Sequence, residues 1–216
     1  MKLTIVYDNT VYKKDTNLRS DWGFSCLVET GEENILFDTG ANGEILLNNM
    51  KNLGINPKEI DKIVISHEHW DHKGGLDLLL PLLTGNVKVY RLEQQNLDRR
   101  VEFVFVSTTR EITERVYTTG RLRGVVDEQS LVLRGETGWY VLVGCSHPGV
   151  EQILDAAKQY GRIKGLIGGL HGFNNFSILG DLDLICPCHC TRYKKEIKEL
   201  YPKTYVEGGV GKIIEI

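Results

Sequence analysis

Ile63-Val-Ile-Ser66-His67-Glu68-His69-Trp70-Asp71-His72-Lys73-Gly74-Gly75 is the stretch on which the reading of this chain turns. Three apolar β-branched residues predict a short buried strand, and the pattern His-x-His-x-Asp-His begins where that strand stops. Two imidazoles separated by one residue at a strand end point the same way and grip one metal ion. Asp71 and His72, just beyond, start a helix and face a second. Neutral imidazole nitrogen and carboxylate oxygen suit Zn, Fe or Mn, so one or two divalent ions are expected, Zn first among them. Glu68 and Trp70 alternate with the ligands and are expected to point away, which makes Glu68 structural rather than a base. A polar surface loop that binds nothing is the competing reading, and it leaves the spacing unexplained.

The chain has 6 histidines, and the three outside this loop occupy comparable places. His147 sits in Gly144-Cys145-Ser146-His147-Pro148-Gly149, His171 in Gly168-Gly-Leu-His171-Gly172, and His189 in Pro187-Cys188-His189-Cys190-Thr191. Each follows a strand-like run and lies beside small or turn residues. A lone histidine of this kind is more often a hydrogen-bonded structural residue. Three of them beside a ready-made ligand cluster argue for a shared site.

Outward from these motifs, strands are predicted at Leu3 to Tyr7, Phe24 to Glu29, Asn34 to Phe37, Lys62 to Ser66, Val87 to Tyr90, Ser130 to Leu133 and Tyr140 to Val143. Gly31-Glu-Glu33 turns the chain between two of them. Helical spacing of apolar residues predicts helices over Glu44 to Leu53, Gly75 to Leu83, Val150 to Tyr160 and Arg192 to Leu200. Leu92 to Arg123 reads least regularly, with strand-like Phe103 to Val106, as a surface excursion or an insertion near the active site. No repeat, low-complexity tract or linker divides the chain, so one domain over residues 1–216 is expected.

Composition sets the outer bounds. With 216 residues, 41% hydrophobic and 25% charged, the chain has the profile of a globular protein large enough to build a core without disulfides. A formal charge of -3 gives no global positive field, so neither nucleic acid nor an anionic membrane is expected as a partner. The longest apolar stretch, Leu76 to Leu83, contains Asp77 and Pro81 and cannot span a bilayer. Met1 to Asn9 lacks the pattern of a secretory signal, and 5 cysteines is an odd number, three of them crowded into Cys186-Pro-Cys188-His-Cys190. Reduced thiols and a cytoplasmic location are expected.

Together with Leu36-Phe-Asp38-Thr-Gly40, the histidine motifs resemble the metallo-β-lactamase superfamily. Within it, the Gly-Cys-Ser-His, Gly-Gly-x-His and His-Cys-Thr motifs are similar to the branch of dihydropterin ribofuranosylaminobenzene phosphate synthase-like proteins and metal-dependent hydrolases. The likeness runs from Leu3 to Ile216. It implies an α/β fold, a four-layer αβ/βα sandwich with metals at one edge of two facing sheets. It also implies that His67, His69 and His147 hold a first metal and that Asp71, His72 and His189 hold a second. Asp38 would orient a ligand histidine, its alternative being an ordinary Asp-Thr-Gly turn.

The departures from the family pattern are specific. Cys145 stands where the superfamily places an Asp that bridges the two metals, either as a thiolate ligand or as a small buried thiol. Trp22-Gly-Phe-Ser25 replaces a common His-Gly-Leu-Ser, and Cys-Thr-Arg192 replaces Cys-Thr-Gly, both where the pocket wall is expected. Arg192 reads as a phosphate clamp or as a solvated helix start. His171 is surplus to the ligand set and reads as a pocket-side donor or general acid, or as structural. Cys186, Cys188 and Cys190 would share one face of a strand, and a separate zinc or iron-sulfur centre is the alternative there.

The function implied is a metal-dependent hydrolase that uses a metal-activated water on a small-molecule ester or phosphoester, with Asp71 and His171 as the catalytic candidates. Two alternatives stand beside it: the synthase condensation of the resembled branch, and a metal-binding protein without catalysis.

Overall fold

The computed structural model describes residues 1–14, 16–94 and 101–216. Strands β1 (Lys2–Tyr7), β2 (Ser25–Glu29), β3 (Asn34–Phe37), β4 (Lys62–Val64), β5 (Val87–Arg91) and β6 (Val101–Phe105) belong to a first sheet. Strands β7 (Arg110–Thr113), β8 (Val116–Thr118), β9 (Leu131–Arg134), β10 (Trp139–Val143), β11 (Ile163–Gly169) and β12 (Leu184–Cys188) form a second, and β13 (Ile213–Glu215) returns to the first. The orders are β13-β1-β2-β3-β4-β5-β6 and β12-β11-β10-β9-β8-β7.

Alternation along each strand builds the layers. Leu3 and Ile5 of β1, Ile35 and Phe37 of β3 and Val64 of β4 face Leu131, Leu133, Leu142, Ile167 and Cys186 of the second sheet. The intervening residues turn outward: Val6, Leu36 and Ile63 pack under Leu46 and Met50 of α1 (Gly43–Leu53), with Leu76 and Leu79 of α3 (Leu76–Leu79), which follows the one-turn α2 (Trp70–Lys73). Val141, Val143 and Leu166 pack under Val150, Ile153 and Leu154 of α4 (Val150–Ala157) and Ile197 of α5 (Lys194–Leu200). Strands buried on both faces carry unbroken apolar runs. Each such side chain removed fully from water contributes about 1.5–3 kcal/mol, so the three apolar layers hold the fold together. The result is the expected four-layer αβ/βα sandwich, and no helix among the described residues is long and apolar enough to cross a membrane.

Two expectations change. Gly75 to Leu83 is not one helix: Pro81 lacks an amide proton, and the α-turns of α3 give way to a 3-10 segment over Leu80–Leu82. The stretch from Leu92 to Arg123 is not a surface excursion in its described part. Its strand-like segment is β6, paired in parallel with β5 at the rim of the first sheet, and β7 and β8 form a hairpin that starts the second. Residues 95–100 of that stretch lie outside the described residues.

Candidate metal centre

β3, β4, β5 and β6 run parallel to one another, as do β10, β11 and β12, so their carboxyl ends fall on one edge of each sheet. Asp38 follows β3, Ser66 and His67 follow β4, Cys145 to His147 follow β10, His171 follows β11 and His189 follows β12. Ligand sites of open parallel sheets lie at such ends. Four non-glycine residues at this edge take left-handed backbone conformations: Asp38 (φ 57), Ser146 (φ 62), His171 (φ 46) and His189 (φ 42). The left-handed region is costly for these residues, and its concentration at one edge marks a built site. Gly144 lets the two sheets close there, since a Cβ at that position would lie 2.2 Å from Ser66 Oγ.

His67, His69 and His147 form a triangle, with ring centroids 4.7 Å (His67–His69), 4.8 Å (His67–His147) and 4.9 Å (His69–His147) apart. Their ring nitrogens converge closely enough to share one ion. Beside them, Asp71, His72 and His189 form a second converging group. Asp71 Oδ2 lies 3.2 Å from His189 Nε2 and accepts the indole N–H of Trp22 at 2.8 Å. Trp22 also sets its edge against the His189 ring, so the departure at Trp22 does form part of the pocket wall.

The orientation of these rings is fixed from behind. Asp38 Oδ1 accepts the Ser66 amide at 2.7 Å, and its Oδ2 accepts the Ser66 hydroxyl and His72 Nδ1–H, each at 2.7 Å. The proton of His72 therefore sits on Nδ1, and its Nε2 lone pair faces the site, 3.1 Å from Cys145 Sγ. His189 is held the same way: its Nδ1–H donates to Asn9 Oδ1 at 2.9 Å, while Asn9 Nδ2 donates to the His189 carbonyl and so fixes the amide's orientation. Asp38 is thus an orienting residue, not a simple turn.

The residues present fit a metal ion. His147 Nε2 and His189 Nε2 are buried and have no hydrogen-bond partner among the described residues. Leaving such an atom unpaired costs about 1–3 kcal/mol, which coordination to a cation removes. Burial, followed by the neighbouring histidines, holds His67 far below the ordinary imidazole range. Burial and then His171 pull His147 down to about 4. Burial would raise Asp71, but the close approach of His189, followed by His72, outweighs this and holds it at about 2. His72 moves up: burial opposes the charge and hydrogen bond of Asp38, which win. Neutral imidazoles at His67 and His147 and an ionised carboxylate at Asp71 are the forms that bind metal, whereas His72 must give up its extra proton to do so.

These shifts give a pH signature for the metal-free protein. His147 ordinarily titrates at 6.5 and in the fold at about 4, so between those values the unfolded chain binds a proton that the folded chain does not. The contribution of His147 to stability is accordingly unchanging above that window and falls as the pH drops through it. The opposing effect of His72 is present in both wild type and a His147→Asn variant, so their difference reads His147 together with its coupling to the neighbouring imidazoles. Urea unfolding is expected to show wild type losing stability relative to His147→Asn from pH 6.5 to 4, with a constant difference above pH 7. A difference independent of pH would contradict the depressed His147.

Other sequence expectations are sorted by the geometry. Cys145 lies in the centre, its Sγ converging both with His67 and His72 and with His189 and Cys190. His171 is exposed at the rim, its ring centroid 5.0 Å from that of His147. Arg192 is exposed, its guanidinium 5.3 Å from the Tyr193 ring centroid, which is the solvated alternative and not a clamp turned into the centre. Helix α5 starts only at Lys194. Glu68 accepts from Lys73 at 2.9 Å and pairs with Arg91, in the structural role expected, and Trp70 is 62% exposed. The three late cysteines do not share a face: Cys186 and Cys188 are buried between the sheets, whereas Cys190 leaves the strand and enters the site. The hydrogen bond between Cys145 and Cys190 pulls Cys190 down and pushes Cys145 up.

Sequence reasoning missed Glu128, Asp8 and Asn9. Glu128 is fully buried, and its carboxylate accepts the amides of Gly144 (3.1 Å), Cys145 (2.9 Å), Ser146 (3.0 Å) and His147 (2.9 Å). It shapes the loop that presents His147. Asp8 accepts the His189 amide at 2.9 Å. Polar residues directly after β1, at the same sheet edge as the histidines, were a usable signal for Asp8 and Asn9; Glu128 has none.

The arrangement has counterparts among known proteins. The model of the metallo-beta-lactamase superfamily matches residues 23–155. The chain belongs to that superfamily. A relative in Methanocaldococcus jannaschii, an uncharacterized protein, is 29% identical, with 99% of this chain and 100% of the relative covered. A second from the same organism, 7,8-dihydropterin-6-methyl-4-(beta-D-ribofuranosyl)-aminobenzene-5'-phosphate synthase, is 26% identical over 91% of this chain and 90% of its own. Among solved structures, Tm1679, described as a metal-dependent hydrolase of the beta-lactamase superfamily, superposes with a TM-score of 0.77 at 26% identity, covering 100% of this chain and 99% of its own. The metallo-β-lactamase fold anticipated from the histidine motifs is therefore shown.

Proposed function

We propose that this superfamily member is a metal-dependent hydrolase of a small phosphoester or carboxylic ester. The observation that carries the reading is the pair of buried nitrogens, His147 Nε2 and His189 Nε2, that have no hydrogen-bond partner among the described residues and face a centre of converging imidazole, carboxylate and thiol atoms. A divalent ion held there, Zn first and Fe or Mn next, supplies Lewis acidity and a water of near-neutral acidity. His67, His69 and His147 hold one ion, and Asp71, His72 and His189 the other. Asp38 and Asn9 keep the lone pairs of His72 and His189 turned inward. His171, at the rim, passes a proton to the leaving group as general acid. Similarity to Tm1679 supports hydrolysis, and the name of the synthase relative, a phosphate ester, supports a phosphorylated substrate; both are arguments by analogy. A formal charge of -3 favours a small molecule over nucleic acid, and the five free cysteines fit a reducing cytoplasm.

The same synthase relative favours a second reading, condensation of a pterin with an aminobenzene ribose phosphate. The test is a panel of phosphomonoesters, phosphodiesters, thioesters and lactones with Zn-, Mn- or Fe-loaded protein, alongside a His189→Ala variant. At least one ester is expected to turn over, with loss to background in the variant. Joint consumption of the two synthase substrates without any His189-dependent hydrolysis would replace the hydrolase reading with the synthase.

A further inference from the structure

Consecutive residues on a strand point to opposite faces, so Cys188 facing the core puts His189 outside it and would return Cys190 inward. The left-handed backbone at His189, φ 42, breaks that alternation. His189 and Cys190 then both reach the site edge. Thr191 fixes the kink, donating from Oγ1 to the Cys188 carbonyl at 2.7 Å and accepting the Leu170 amide at 2.9 Å. Gly169 leaves room for the thiol: a Cβ there would lie 2.7 Å from Cys190 Sγ. Cys145 Sγ, Cys190 Sγ and His189 Nε2 consequently all lie within 4.8 Å of one another. Metal–sulfur bonds of about 2.3 Å would bring these ligand atoms somewhat closer together than this, a contraction within the reach of side-chain rotation.

We propose that Cys190, with Cys145 and His189, is a metal ligand, so that the second metal position is a thiolate site rather than a site of nitrogen and oxygen alone. The inference rests on the metal-dependent reading above and goes beyond it in naming a ligand one residue past the histidine of the motif. Three features converge on it. Among the described residues His189 Nε2 is buried with no donor to meet it: its other nitrogen gives its proton to Asn9, and Asp71 Oδ2, 3.2 Å away, is itself an acceptor, so the two face each other as a cation would need them. The two thiols approach it from different strands, one after β10 and one after β12. Cys145 also converges with His67 and His72, which places it between the two groups, where a shared ligand belongs. On binding, each thiol gives its proton to solvent as its sulfur–metal bond forms. Two soft, anionic sulfurs favour Zn or Cd at this position and disfavour Mn, whereas the three-histidine group has no such selectivity.

Cobalt(II) substitution reads this directly. Ligand-field bands in the visible report occupancy of either site, and sulfur-to-cobalt charge transfer in the near ultraviolet reports thiolate ligation alone. The loaded protein is expected to show both. Cys190→Ser is expected to keep the visible bands and lose about half of the charge-transfer intensity, and the Cys145→Ser/Cys190→Ser pair to lose all of it. A second measurement uses the unaltered chain: cadmium(II) is expected to protect Cys190 from iodoacetamide, as mapped by peptide mass spectrometry. Visible bands without charge transfer, or full charge transfer in Cys190→Ser, would overturn the thiolate site and leave the metal-dependent reading standing. Absence of every cobalt band would overturn both, and alkylation of Cys190 at an unchanged rate in cadmium would overturn the role of Cys190 in particular.

Discussion

Glu128→Ala is expected to destabilise the protein by about 4 kcal/mol or more, among the largest effects a single substitution produces. The carboxylate accepts four backbone amides in the loop from Gly144 to His147, and the residue is fully buried. Alanine leaves those donors without an acceptor, and each buried amide so stranded costs about 1–3 kcal/mol before water enters the space. Burial pushes the Glu128 carboxyl up, while the amides of His147, Cys145 and Ser146 pull it back down. Glu128→Gln separates charge from shape. Its oxygen can still accept the three amides now bound by Oε1, but its NH2 group meets the His147 amide donor to donor. An intermediate loss is expected, together with a displaced His147. Urea unfolding of the three proteins checks the order, and equal stability of Glu128→Ala and wild type would remove Glu128 from the account.

Glu128 also shows where a sequence stops speaking. Its partners are backbone amides 16 to 19 residues away, and a backbone amide has no letter. The histidines were legible for the opposite reason: four ligand-type residues fall within six consecutive positions, and strand-end geometry alone makes them converge. Asp38 was legible because Asp-Thr-Gly closes a strand beside them. The sandwich was legible because β1, β3, β4 and β10 are buried on both faces and leave long apolar runs. β7 and β8 were not, because strands such as Arg110–Thr113 are largely exposed and mix charge with apolar residues. Cys190 was placed with Cys186 and Cys188 on the rule of alternation, which holds until a residue turns left-handed, and histidine gives no advance notice of doing so. Pro81 did give notice within Leu76 to Leu83, since a proline inside a helical pattern ends the α-turns.

Changing His67 and His69 together to Ala is expected to remove one equivalent of bound metal and leave the other. The two rings supply two of the three nitrogens in the first group, and the third, His147, cannot hold an ion alone. The second group keeps Asp71, His72 and His189, and Asp38 still orients His72 at 2.7 Å. Loss of His67 does reach that side, because its Nδ1 lies 2.9 Å from Ser66 Oγ, which in turn donates to Asp38. The Ser66–Asp38–His72 part of the network survives without it, so a weakened second site is expected rather than an absent one. Stability supplies an independent measure. An ion at a hundred times its dissociation constant stabilises the folded state by about 2.7 kcal/mol per site, so wild type is expected to gain about twice the free energy from added Zn that the double variant gains. Metal content by mass spectrometry of dialysed protein gives the stoichiometry, and thermal unfolding with and without Zn gives the linkage. Undiminished metal in the double variant would refute the assignment of these two histidines, and loss of both ions would show that His67 or His69 serves the two positions jointly, as the convergence of His67 with both His147 and His72 makes geometrically possible.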